Sequence, residues 1–183
     1  MIDNYRDDPI LGPALAYWIE KRGNRLMPSR RDIDPTEIPR KILPNLQLID
    51  VVDGGARFRY RLIGTATVEA YGRDFTGLHP DEVFPPDLRD FIHDIFGTVC
   101  RSKAPLYLRN GYITAKDLKL FSKRIYMPLS DNNAEVTHIF AVLRFEYSSS
   151  ANVRAQVEGE TFDPSATYIE PIDIAPPVDT AVP

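Results

Sequence analysis

RFRYRLIGTATVEAYGRDFTG, residues 57–77, passes from a strand pattern through a glycine into a helix pattern. Phe58, Tyr60 and Leu62 alternate with Arg57, Arg59 and Arg61, the period-two signature of a strand with one buried face and one wet face. Such a face needs a second layer to cover it. Ile63-Gly64-Thr65 breaks the alternation, Ala66 to Tyr71 reads as a short helix, and Gly72 can take the positive φ that ends it. Gly64, Thr65, Gly72, Asp74 and Gly77 therefore read as residues that shape a handover from strand to helical lid.

Working outward, Leu46 to Val52 is apolar and β-branched, and Asp53-Gly54-Gly55 is a turn signal. With residues 57–63 they predict an antiparallel hairpin. Residues 73–77 read as a turn, and Leu78 to Asp87, with three prolines, as a loop or a broken helical turn. From Pro86 to Lys103, Leu88, Phe91, Ile92, Ile95, Phe96 and Val99 recur at helical spacing. Three strand-like runs follow at 106–115, 118–129 and 135–147, joined by polar turns, as in a meander. In the last run Ile139, Ala141, Leu143 and Phe145 share one face, and His138, Phe140, Val142 and Arg144 the other. The second face is apolar enough to require a cover, and an N-terminal helix is the candidate.

That helix is predicted from Asp8-Pro9, an N-capping acid followed by proline, to Gly23. Leu11, Leu15, Trp18 and Ile19 form its apolar stripe. Helical spacing leaves open whether the stripe packs on its own domain or on a second subunit, in which case these residues, with Phe140 and Val142, are the interface. Residues 1–8 read as a flexible N-terminus and 9–44 as this helix plus a proline-rich connector. Asp34-Pro35-Thr36-Glu37 has the form of a capping box and predicts a helical turn at 35–38. Ser29, Arg30, Arg31 and Asp32 could bind an anion; the plainer reading is a solvated loop with local side-chain-to-backbone bonds. Residues 45–147 form the domain proper, an α+β unit with helices on one face of a five-stranded antiparallel sheet. Residues 148–183 read as an acidic, proline-containing disordered tail.

Composition narrows the function. A net charge of -4 over 183 residues argues against a protein that coats nucleic acid or anionic membrane. Six acids in residues 148–183 face the single Arg154, which leaves residues 1–147 at a net of +1. With one cysteine, Cys100, no intrachain disulfide can form, which suits a reducing cytoplasm. No signal-like or membrane-spanning run is visible. No P-loop, dinucleotide fingerprint, HExxH or GxSxG appears, and three histidines without ligand spacing predict neither a metal nor a catalytic site. The stripe Arg57, Arg59, Arg61 could contact an anion; the plainer reading pairs it with acids on neighbouring strands.

Four motifs follow one another in this order: Tyr17-Trp18; Pro28-Ser29-Arg30 with Asp32-Ile33-Asp34-Pro35; Arg61-Leu62-Ile63-Gly64-Thr65; and Gly72-Arg73-Asp74-Phe75-Thr76-Gly77. With the element order, they resemble the PAS domain family, and within it the small stand-alone PAS proteins of alphaproteobacteria. The resemblance implies a cytosolic sensory or adaptor module, acting by contact with another regulatory protein and as a homodimer, and not a catalyst. It also implies that a small-molecule ligand, if bound, would sit between the long helix and the sheet. The inward candidates are Tyr60, Leu62, Phe91, Ile95, Phe96, Ile125 and Leu143. No cofactor is named by these residues. His93 lies on the long helix, where haem-binding members hold iron, but its azimuth puts it on the wet side. Cys100 lacks the sequence context of flavin photoreceptors, and an unrecognised enzyme ranks below both readings.

Overall fold

The alternating stretch at 57–63 becomes β2 (Arg57–Ile63), paired antiparallel with β1 (Leu46–Val52). The computed structural model describes residues 5–113, 119–147 and 161–174. In chain order its main elements are α1 (Leu11–Arg22), β1, β2, α2 (Thr65–Tyr71), α3 (Pro80–Val83), α4 (Pro86–Ser102), β3 (Leu106–Ile113), β4 (Lys119–Leu129), β5 (His138–Tyr147) and β6 (Thr161–Pro171). All strand pairs are antiparallel, in the order β2-β1-β5-β4-β3-β6.

The sheet thus has six strands where five were expected. Residues 161–171, read as disordered tail, pair with β3, and Ile172 is buried with its N–H donating to Pro105 O at 2.9 Å. The segment lacks clear periodicity, but β3 offers an unpaired backbone edge, and backbone bonds do not depend on side-chain pattern. At the other end, residues 5–8 are ordered, contrary to the expected flexible start. Tyr5 stacks near Tyr107 at 5.0 Å, and Asp8 accepts from the Ile10 and Leu11 N–H groups and pairs with Arg144 at 2.6 Å.

Both faces of the central strands are covered. α1 lies on the outer face, where Tyr17 meets Phe140 at 6.4 Å and Trp18 Nε1 donates to Pro128 O at 2.9 Å. The connector adds buried Met27, Ile33, Ile38 and Ile42, so helix, connector and domain share one core. The turn expected at 35–38 is a single hydrogen-bonded turn, with Glu37 N–H donating to Asp34 O at 3.1 Å and Thr36 N–H to Asp34 Oδ1 at 2.8 Å, and the capping box falls earlier, around a 3₁₀ turn at Arg30–Asp32 capped by Ser29. On the inner face α4 packs Ile92, Ile95, Phe96 and Val99 against Phe58, Tyr60 and Tyr126, with Phe96–Phe58 at 5.1 Å and Phe96–Tyr126 at 5.5 Å.

The handover expected at 64–77 is present. Gly64 N–H donates to Leu46 O at 2.7 Å, and Gly72 ends α2 at φ 65°. Residues 77 and 78 then return to β2: Gly77 N–H donates to Tyr60 O at 2.6 Å and Tyr60 N–H to Leu78 O at 2.9 Å. This return pairs the edge of β2 at Tyr60, and among the described residues β6 has a strand partner on one side only.

Candidate functional site

The inner face of the sheet carries a polar cluster set among aromatic rings. Arg124 on β4 is 4% exposed. Its Nε donates to Ser122 Oγ at 3.1 Å, and its two terminal nitrogens to the hydroxyls of Tyr126 and Tyr71, each at 3.3 Å. Ser122 in turn donates to Asn110 Oδ1 at 2.5 Å. Register explains the grouping, because Ser122, Arg124 and Tyr126 lie two apart on β4, and Asn110 faces Ser122 from β3. Tyr71 arrives from α2, with Phe75, Phe84 and Phe145 each within 6.0 Å of its ring. A guanidinium held by hydroxyls in an apolar surround keeps its charge and a fixed orientation, and here it ties α2 to the sheet.

The sequence-expected pocket residues divide between the two faces. Tyr60, Ile95, Phe96 and Leu143 are buried on the inner side, and Phe91 is half-buried at its border. Leu62 is not inward; it is 44% exposed. The cause is a β-bulge: Leu48 faces Leu62 and Ile49 faces Tyr60, so Arg61 is unmatched and alternation reverses beyond it. Ile63 takes the buried place instead. Ile125 is also on the other side. It pairs with Val142 and is adjacent to inward Tyr126, which puts it on the face under α1. The apolar character of Ile125 suggests the reverse, which leaves Arg124 out of the expected set. The spacing of Ser122, Arg124 and Tyr126 was the available signal.

The candidate interface residues Leu11, Leu15, Trp18, Phe140 and Val142 are buried within this chain, and Ile19 packs half-buried beside them. The stripe that could have met a second subunit is used on its own sheet.

On the outer face of β1 and β2 a charged group surrounds Asp50. Its Oδ2 accepts from Arg59 at 2.6 Å, and its Oδ1 lies 3.5 Å from Arg61 and 3.6 Å from His138 Nε2. Burial pushes the His138 imidazole below its ordinary value, against the pull of Asp131 and Asp50. Asp131 accepts from Ser29 Oγ at 2.9 Å and Arg30 N–H at 3.2 Å, which ties the connector to the β4–β5 turn. His93 lies at the flank of α4, 3.3 Å from Asp81. His79 Nδ1 is 2.7 Å from Phe58 O, so that nitrogen carries the proton and Nε2 accepts from Arg57 at 3.2 Å. Arg73 and Asp74 do not pair among the described residues; Asp74 accepts from Thr76 N–H at 2.9 Å. No group of three metal-ligating side chains occurs among the described residues.

A PAS domain model matches residues 9–144, from the N-terminal helix into the last strand of the meander. The chain belongs to the PAS domain family. No curated protein matches it significantly. The match includes α1 and the connector, in agreement with their shared core, and stops before β6. PAS domains are in general sensory modules of signalling proteins, and that coarse role extends to this chain. No helix among the described residues is long and apolar enough to cross a membrane.

Proposed function

We propose that this chain is a cytosolic PAS sensory adaptor, of the kind its motifs share with small stand-alone alphaproteobacterial proteins, whose output is contact with another regulatory protein. The observation that carries the reading is where exposed apolar surface remains. Of the five large hydrophobic residues exposed among the described ones, Leu62, Tyr168 and Ile169 lie on β2 and β6, the two outer strands, while both faces of the central strands are filled from within. Exposed apolar groups on a rigid sheet are the ordinary material of a protein contact. A homodimer, if formed, would use these strands and not the buried stripe of α1. Affinity capture from the native cell combined with light scattering tests the proposal. Recovery of no regulatory protein by a monomeric chain would count decisively against it.

A second reading is favoured by the Arg124 cluster. Buried hydroxyls and a guanidinium between α2 and the sheet are the polar groups a receptor for a small polar molecule requires. Native mass spectrometry of protein purified from its host is expected to show added mass that Arg124→Met removes. A bare mass in the wild type would sink this reading.

A further inference from the structure

We infer that the outer face of β2 is a docking surface for an acidic, extended protein segment bearing an apolar anchor. Arg57, Arg59 and Arg61 present three guanidinium groups, and Asp50 is the one carboxylate they meet among the described residues. Arg57 contacts the His79 ring, not an acid. Arg59 and Arg61 remain about half exposed, with side-chain values of 47% and 51%. The stripe therefore carries surplus positive charge on a chain whose net charge is -4. The bulge at Arg61 then turns Leu62 outward beside these arginines. A strand that kept its alternation would have buried that leucine, so the bulge creates an apolar point inside a cationic stripe.

Geometry and charge together select the occupant. The stripe from Arg57 to Arg61 is roughly 13 Å long, and arginines two apart repeat at about 6.6 Å. Acids two apart on an extended chain repeat at the same interval, and guanidinium forks fit carboxylates. The middle of the β2 edge is already occupied, Tyr60 by residues 77 and 78 and Phe58 O by His79, so the segment lies across the side chains and does not add a strand. Leu62 favours a polypeptide over nucleic acid, because it rewards an apolar side chain between the acids.

The inference rests on the adaptor reading and names its surface. Fluorescence polarisation of the full chain with a labelled peptide, Glu-Ser-Glu-Leu-Glu-Ser-Glu, tests it. Salt-sensitive binding is expected, weakened about tenfold by Leu62→Ser and about two- to fivefold by Arg57→Ser. Both side chains lie outside the Asp50 pairs, so loss of folding is not expected, and circular dichroism checks it. Absent binding, equal binding by both variants, equal binding of the peptide with serine in place of leucine, or tighter binding of oligodeoxythymidylate each overturns the inference. A natural partner that binds Leu62→Ser as tightly as wild type would remove this surface and leave the adaptor reading standing.

Discussion

Gly64 and Gly72, eight positions apart in the opening stretch, carry opposite constraints. Gly64 has an ordinary φ of -70°, but a Cβ there would collide with Pro44 O and come within 2.8 Å of Leu46 O. Gly72 has open space around it and φ of +65°, which β-branched residues resist. Gly64→Ala is expected to cost about 3 kcal/mol, because backbone must move. Gly72→Val is expected to cost about 1–2 kcal/mol and lower the melting temperature by a few degrees. Calorimetry that ranked them the other way would refute this account. Binding should fall in Gly72→Val only as far as folding does; loss of binding at full stability would make the stretch a site and not a joint. At His138 the sign follows from burial. Its folded-state value is held below 6.5, so below that pH the unfolded chain takes up a proton the folded chain refuses. Stability should fall as pH drops from 6.5 towards the folded value, and His138→Gln should flatten that part of the profile in thermal melts. Burial also pushes the Cys100 thiol up to about 11. Alkylation at neutral pH should consequently be slow in the native protein and fast once it unfolds.

Among the elements, α1 and β6 make the sharpest contrast. α1 shares the central core through Leu11, Leu15 and Trp18 and lies within the family match. Trp18→Phe should cost about 1–2 kcal/mol, since it leaves the buried Pro128 carbonyl without its donor. β6 lies beyond the match and adds backbone pairing to one edge. Truncation after Tyr147 should therefore lower stability yet keep one cooperative unfolding transition, measurable by circular dichroism. Loss of the transition would show β6 to be part of the minimal fold. Legibility followed the same division. The hairpin at 46–63 and the helix at 86–102 were readable because a half-buried strand and an amphipathic helix print their period on the sequence. β6 was not, because an edge strand held by backbone bonds prints no such period.

Across the whole molecule, cover on both sheet faces decides what could be read. Local periodicity determined the order and type of the main elements from α1 to β5, the strand-to-lid handover at 57–77, and the inward set Tyr60, Ile95, Phe96 and Leu143, while four residue motifs carried the resemblance to the PAS family. Periodicity assigns residues to alternate faces of a strand but does not say which face meets which layer. When α1 and α4 bury opposite faces, Ile125 and Tyr126 are equally plausible inward residues, and only strand register assigned them. Tertiary structure also decided the bulge at Arg61, which turned Leu62 to solvent, because a bulge is set by pairing with β1 and not by the residues of β2 alone. For the same reason the cluster of Arg124, Ser122, Tyr126, Asn110 and Tyr71 exists only in the folded chain. Its members come from three elements, and hydrogen bonds between distant segments leave no repeat in the sequence.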